Sequence, residues 1–256
     1  MLRQHPEIWM PPLKEIHYFD HVFVPDNRSW TLNHIKKGVT DALKWQVEHD
    51  AINLDHFKYL VDLAMDRPFT EDWYRACFNR PGANGKKTGD ITPEYCTIPP
   101  EGIAHVKELL GQDLKLIYII RNPVDRAVSQ LKMNLTRRGK ESEGKDFWIA
   151  SAKDPVIAQR GDYKTYIPQW EAVFPKANIL YLPYKMVKAD PAEFLGQIEA
   201  HLGIARFHGY SGISNRVHET REARAPSEAI RHLEESLAPQ SVFLKERFGE
   251  EFHSLT

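Results

Sequence analysis

The pattern of apolar and polar positions divides the chain into a mainly helical first half and a second half in which strands alternate with helices. In the first half, apolar residues recur every three or four positions, which predicts amphipathic helices at Val39–Val47, Leu54–Ala64 and Ile103–Leu110. Thr70, which two acidic residues follow, is predicted to cap a further helix. The segment Asn79–Thr88 is rich in glycine, asparagine and lysine, so we expect a loop there.

The second half opens with apolar, β-branched residues at Leu114–Ile120, which predict a buried strand. A second strand is predicted at Asn178–Leu182. Helices are predicted at Asp125–Arg138, at Asp190–Leu202, where an aspartate precedes a proline, and at Ser227–Leu237. This alternation of strands and helices is typical of an α/β protein with a parallel sheet.

Length and charge narrow the class of protein. The 256 residues suffice for a large core, and because no linker separates the predicted elements, we expect one domain over residues 1–256. The 34 basic residues balance 35 acidic ones, which argues against a nucleic-acid partner or an anionic membrane surface. Neither a signal peptide nor an apolar run that could span a bilayer is found, and Cys77 and Cys96 are too few for a disulfide scaffold. We therefore expect a cytoplasmic protein.

Candidate chemistry lies at the end of the first predicted strand. In a parallel α/β sheet, ligands bind at the carboxyl ends of strands, where helix N-termini point at them. Arg121 stands at such an end and Ser129 lies on the helix that follows, and their guanidinium and hydroxyl groups suit a phosphate. From spacing alone, an equally good interpretation is that Arg121 pairs with a nearby aspartate and Ser129 faces solvent.

The segment R-N-P-V-D-R-A-V-S, from Arg121 to Ser129, resembles the 3′-phosphate-binding motif of sulfotransferases that use 3′-phosphoadenosine 5′-phosphosulfate (PAPS). The resemblance implies that Arg121 and Ser129 hold the 3′-phosphate of PAPS and of its product, adenosine 3′,5′-bisphosphate. Gly89–Tyr95 (G-D-I-T-P-E-Y) resembles an element of bacterial and heparan-type members, and Gly161–Tyr163 resembles part of a downstream block. The implied fold is of the P-loop NTPase type, with three layers and a central parallel sheet flanked by helices.

A second cluster, K-E-I-H-Y-F-D, lies near the N-terminus. On chemistry alone, Glu15 and His17 alternate along an extended segment and can face one side, where either can deprotonate an acceptor. The alternative is a surface loop with scattered polar residues. The segment resembles the K-E-x-H-F-F-D stretch of heparan-type sulfotransferases, which implies that Glu15 is the catalytic base and His17 its partner at the acceptor. Lys14 and Asp20 match the same motif, which implies that they contact the acceptor.

The family's 5′-phosphosulfate loop, G-x-x-K-x-G-T-T, has no match in the chain. Because Met1–Pro6 resembles the end of the helix that follows this loop, we expect the chain to lack the first strand and the P-loop. The segment Gly82–Thr88 is not a Walker A loop, since Arg80 and Lys87 stand where that motif requires glycine and a hydroxyl residue.

These features predict a sulfotransferase that transfers the sulfuryl group of PAPS to a hydroxyl or amine by in-line displacement, with Glu15 as general base. The alternative is a non-catalytic nucleotide-binding or interaction module that lacks the phosphosulfate loop. The acceptor is expected to be a small molecule or a carbohydrate. The twelve histidines are scattered along the sequence, so no metal is expected. An exposed charged face is expected at four basic residues: Arg216, His218, Arg221 and Arg224.

Overall fold

The computed structural model describes residues 1–65, 67–213 and 224–256. It confirms a mixed α/β protein, mostly helical, with two short parallel sheets among the described residues. The chain forms two compact units, one of residues 1–114 and 202–211 and one of residues 115–201 and 212–256. Of the predicted charged face, Arg224 is exposed, and the other three residues lie outside the described residues.

The described residues of the first unit form five α-helices and one two-stranded sheet. Two of these helices confirm predicted features. Thr70 caps its helix by accepting a hydrogen bond from the backbone N–H of Trp73, and Gly111, at φ 87°, follows the helix predicted at Ile103–Leu110. The elements are α1 (Tyr18–Phe23), α2 (Arg28–Glu48), α3 (Leu54–Met65), α4 (Glu71–Ala76), α5 (Pro100–Leu110), β1 (Ile8–Trp9) and β2 (Lys87–Thr88).

Helices α2 and α3 form where amphipathic helices were predicted, but each buries only part of the predicted face. Helix α2 begins eleven residues before Val39 and buries both Val39 and Ile35, while Val47 is 67% exposed. Helix α3 buries Tyr59, Leu60 and Leu63, and the predicted apolar positions Leu54 and Phe57 are exposed. The predicted faces were therefore only partly right, because hydrophobic spacing alone does not tell which apolar stripe the neighbouring elements cover.

The sheet of the first unit includes residues that the sequence assigned to a loop. The last two residues of the predicted loop Asn79–Thr88 form β2, which pairs in parallel with β1 through Ile8–Lys87 and Trp9–Thr88. Two-residue strands carry too little hydrophobic pattern to be recognised, and their pairing depends on contacts nearly 80 residues apart.

The second unit contains a parallel sheet in which β3 pairs with β4 from Leu116–Ile179 to Ile120–Pro183. The strand predicted as buried is only partly so, since Ile120 is fully buried while Ile119 is 38% exposed. The elements are β3 (Leu116–Ile120), α6 (Pro123–Arg137), α7 (Lys145–Ala152), α8 (Pro155–Gln159), α9 (Tyr163–Val173), β4 (Ile179–Pro183), α10 (Met186–Ala189), α11 (Pro191–Leu202) and α12 (Ser227–Ser254).

Helix α12 is much longer than predicted and carries the core of the second unit. Its first half packs Leu233 and Leu237 against a cluster that includes Leu131 of α6 and Trp148 of α7. It then continues past Pro239 to Ser254, with one break at Gly249, and packs Leu244 against Ile120, Tyr163 and Ile167. The predicted end at Leu237 was wrong, because this second apolar contact extends the helix past a proline that would otherwise interrupt it.

Candidate functional site

The segment from Lys14 to Asp20 does not run as the extended chain that the sequence predicted. Glu15 and His17 have φ values of 64° and 56°, in the left-handed region that residues with a side chain seldom occupy. His17 is also the residue that precedes α1. The two side chains meet through this left-handed turn, with His17 Nε2 3.4 Å from Glu15 Oε2.

His17 and Asp20 form a buried pair, with side chains 1% and 0% exposed. His17 Nδ1 lies 3.1 and 3.0 Å from the two Asp20 carboxylate oxygens, and Asn27 donates a hydrogen bond to the same carboxylate. Burial disfavours a charged imidazole, but the carboxylates of Asp20 and Glu15 outweigh it and raise the pKa of His17 to about 9. The surface-loop alternative is thus excluded.

Asp20 contacts His17 rather than solvent. Because its carboxylate is fully buried and hydrogen-bonded to His17 and Asn27, the contact with an acceptor that the resemblance implied is indirect at most. Lys14 differs, since its side chain is 77% exposed and its Nζ lies 3.6 Å from Glu15 Oε1. Lys14 is therefore available to a molecule that approaches Glu15 from solvent.

Glu15 is the one half-exposed carboxylate of this cluster, with its side chain 21% exposed. Burial acts to raise the pKa of Glu15, but the hydrogen bond from His17 and the positive charges of Lys14, His17 and His34 lower it overall. The group is therefore a carboxylate at neutral pH, with one side bound to His17 and the other open. Such a group can accept a proton from a bound molecule.

The G-D-I-T-P-E-Y element supports this segment from the interior. The backbone N–H of Ile16 donates to Thr92 Oγ1 at 3.0 Å, and the Thr92 hydroxyl donates to Asp90 at 2.7 Å. Tyr95 also donates to Asp90, at 2.6 Å, and its hydroxyl accepts from the backbone N–H of Tyr18. These bonds hold the backbone on both sides of His17, which is how two left-handed residues are tolerated here.

Helix α2 adds two residues to the cluster that sequence reasoning missed. The ring centroids of Trp30 and His34 lie 4.8 and 4.7 Å from that of His17, both edge-on. His34 Nε2 also lies 2.9 Å from the carbonyl oxygen of Lys14. The available signal was the spacing of Trp30 and His34, which lie one helical turn apart on α2.

The second candidate site, in the other unit, is built around Arg121 at the end of β3. The buried Tyr163 hydroxyl accepts from the Arg121 backbone N–H at 3.2 Å and donates to its carbonyl at 2.8 Å. The guanidinium lies over the ring of Tyr184, 5.0 Å from its centroid. Among the described residues, no carboxylate forms an ion pair with Arg121. The alternative interpretation, in which Arg121 pairs with a nearby aspartate, therefore does not hold for this part of the chain.

Helix α6 begins immediately after Arg121. Asn122 caps it by accepting hydrogen bonds from the backbone N–H groups of Val124 and Asp125, and Pro123 occupies the first position. Ser129 is half-buried and lies roughly opposite the buried Ala127 and Leu131 around the helix axis. A cation and a helix N-terminus thus lie together, which is an arrangement suited to a phosphate.

No helix in the described part of the chain has the length and apolar composition that a bilayer crossing requires. Among the described histidines, cysteines and carboxylates, one group of three could hold a metal ion: Glu15, His17 and His34, whose ligand atoms lie within 4.8 Å of one another.

Comparisons with known proteins place these features in context. The sequence model of the sulfotransferase family matches residues 1–208. A solved sulfotransferase from Alicyclobacillus acidocaldarius shares the fold, with a TM-score of 0.61 and 21% identity over 96% of this chain and 87% of that chain.

Among curated proteins, mouse heparan sulfate glucosamine 3-O-sulfotransferase 6 is 27% identical over 179 residues, which are 67% of this chain and 51% of that protein. Human heparan sulfate glucosamine 3-O-sulfotransferase 3B1 is 27% identical over 180 residues, which are 67% of this chain and 45% of that protein. The chain spans about half the length of the curated relatives it matches.

Proposed function

The chain belongs to the sulfotransferase family, and we propose that it transfers the sulfuryl group of PAPS to a hydroxyl or amine, with Glu15 as general base. The observation that carries this proposal is the ionised, half-exposed Glu15 carboxylate anchored by the buried His17–Asp20 pair. A carbohydrate is the favoured acceptor, because the similar curated proteins are named as glucosamine 3-O-sulfotransferases.

Glu15 takes up the proton that the acceptor loses as its oxygen or nitrogen bonds to sulfur. PAPS, when bound, supplies the sulfuryl group, and adenosine 3′,5′-bisphosphate leaves with the electron pair of the broken S–O bond. Because its pKa is about 9, His17 is an imidazolium at neutral pH, with both ring nitrogens protonated. It therefore positions the Glu15 carboxylate and does not compete for the acceptor's proton. Lys14, beside the open face of Glu15, is the candidate for direct acceptor contact.

Arg121 and Ser129 are proposed to hold the 3′-phosphate of the nucleotide. The support is an arginine without a carboxylate partner among the described residues, held at a strand end by Tyr163 next to the N-terminus of α6. A three-layer fold of the P-loop NTPase type, with one central sheet, is part of the same proposal, as is a cytoplasmic location. The 5′-phosphosulfate loop has no match in this sequence, so no residue of the chain is assigned to that group.

The proposal is tested by sulfate transfer from radiolabelled PAPS to a panel of heparan-type oligosaccharides, with nucleotide binding measured by calorimetry. Glu15→Gln keeps the size of the side chain but cannot accept a proton. We expect transfer to fall about 10²–10⁴-fold, while the affinity for adenosine 3′,5′-bisphosphate changes less than about twofold.

The matched control is Glu48→Gln, at the exposed end of α2, which we expect to leave both measurements unchanged. Comparable transfer by the Glu15→Gln and unsubstituted chains would refute Glu15 as the base. A chain that binds the nucleotide but transfers sulfate to no acceptor in the panel would support the alternative, a nucleotide-binding module without catalytic activity.

A further inference from the structure

Two histidines of the Glu15 cluster are each fixed through one ring nitrogen, which leaves the other nitrogen as a possible ligand. His17 Nδ1 is hydrogen-bonded to Asp20, and its buried Nε2 faces Glu15 Oε2 at 3.4 Å. His34 Nε2 lies 2.9 Å from the Lys14 carbonyl oxygen. Because a carbonyl only accepts, Nε2 of His34 carries a hydrogen, and in the neutral form of the ring Nδ1 carries the lone pair.

The two histidines and Glu15 form a compact set of donor residues. One ligand atom from each of Glu15, His17 and His34 lies within 4.8 Å of the other two. The 3.4 Å between His17 Nε2 and Glu15 Oε2 already equals the edge of a tetrahedron around zinc, about 3.3 Å for bonds of about 2.0 Å. Glu15 and His34 are only half-buried, so a side-chain rotation can bring the third donor closer.

We propose that Glu15, His17 and His34 bind one zinc ion and that the ion blocks Glu15 as a base. Two histidines and one glutamate form a recurrent zinc donor set, which leaves a fourth position for water. Hydrogen bonds from metal-binding histidines to a carboxylate or a backbone carbonyl orient the rings, and Asp20 and the Lys14 carbonyl supply them here. The effect on catalysis rests on the proposed function, whereas the metal site does not.

The surrounding charges favour a divalent cation. The carboxylates of Glu15, Asp20, Asp90 and Glu94 act on His17, and Lys14 is the cation that contacts Glu15 from outside. When zinc binds, it replaces the proton on Nε2 of His17, and that proton passes to solvent. The proton on Nδ1 remains there, hydrogen-bonded to Asp20. The exposed side of Glu15 provides the path of entry.

The H-x-x-x-H spacing of His17 and His21 does not identify this site. Its ligands come from Glu15 and His17, in a left-handed turn, and from His34, on a helix that begins eleven residues after His17.

Metal binding can be measured without any enzyme assay. The full chain, freed of metal with EDTA, is titrated with Co²⁺, whose visible absorption is intense when it is bound by four or five ligands. We expect a saturable spectrum of one ion per chain that Zn²⁺ abolishes. His34→Gln keeps an N–H group for the Lys14 carbonyl but removes the imidazole, and we expect it to weaken Co²⁺ binding at least about 100-fold.

The control is His49→Gln, an exposed histidine directly after α2, which should leave the titration unchanged. Absence of a saturable spectrum, or an unaltered spectrum in a folded His34→Gln chain, would overturn the proposal. In the transfer assay, Zn²⁺ should inhibit the unsubstituted and His49→Gln chains and inhibit His34→Gln far less. Equal inhibition of all three would overturn the blocking of Glu15. Binding of Co²⁺ by a chain without transfer activity would uphold the site and refute the proposed function.

Discussion

The two candidate sites of this protein are built in opposite ways. The phosphate site uses neighbours in sequence, since Arg121 ends a strand and Asn122 caps the helix that begins at Pro123. The base site uses distant partners, since the backbone between Glu15 and His17 is held by Thr92, about 75 residues away.

The difference also extends to charge. At the base site, buried charges balance one another, so removing one group leaves another without a partner. At the phosphate site the guanidinium is half-exposed and rests on an aromatic ring, so its loss should alter binding more than folding. Four predictions follow this contrast, from the largest expected effect on free energy to the smallest.

Removal of the buried carboxylate should have the largest effect. Asp20→Ala leaves the charged His17 buried without its main partner, and we expect the free energy of unfolding to fall by about 3–5 kcal/mol, measured by urea denaturation. Asp41→Ala, which breaks the exposed pair with Lys37, should cost less than about 1 kcal/mol. If the two variants lost similar stability, the contrast between buried and exposed charge would be wrong.

Stability should also depend on the pH through His17. Its pKa is about 9 in the folded protein against 6.5 for the free side chain, so the folded state holds the proton more tightly. The resulting stabilisation is complete below pH 6.5 and is lost as the pH rises to about 9, a change on the order of 3 kcal/mol. The carboxylates that interact with His17 are those of Glu15, Asp20, Asp90 and Glu94, and the ring of His34 lies beside it.

The measurement is the urea midpoint in metal-free buffer at several pH values between 6 and 9.5. The same series with His17→Gln should lose most of the decline over this interval, because glutamine does not titrate. A flat or rising midpoint in the unsubstituted chain would contradict the raised pKa of His17.

At the phosphate site the expected effect is on binding. Arg121→Ala removes a charge-assisted contact with phosphate, which we expect to weaken binding of adenosine 3′,5′-bisphosphate about 10–100-fold in calorimetry. The urea midpoint should change little. Arg137→Ala, at the exposed far end of α6, should leave the affinity unaltered. An Arg121→Ala chain with normal affinity would remove this residue from the nucleotide site.

The smallest effect is expected at the helix cap. Asn122→Ala removes the side-chain oxygen that accepts from the first N–H groups of α6, and we expect a loss of about 1 kcal/mol in the free energy of unfolding. The nucleotide affinity should fall less than in Arg121→Ala, because the guanidinium remains. A loss as large as that of Asp20→Ala would show that the phosphate site also depends on tightly coupled neighbours.

Local signals in the sequence predicted much of the fold. The sequence predicted the helix caps at Thr70 and Asp190 and the strand β3, because capping and a short apolar run each depend on only a few neighbouring residues. The sequence did not predict the continuation of α12 past Pro239 or the two-residue strands, because each depends on packing or pairing with residues far along the chain.

The sequence by itself determined the class of fold, the helix that follows Arg121 and the identity of the candidate groups, because capping and hydrophobic spacing are local effects. Only the tertiary structure decided how Glu15 and His17 meet and that His34 joins them. The reason is physical: two left-handed residues are unfavourable alone and persist only where distant groups, here Thr92 and Asp90, satisfy the intervening backbone.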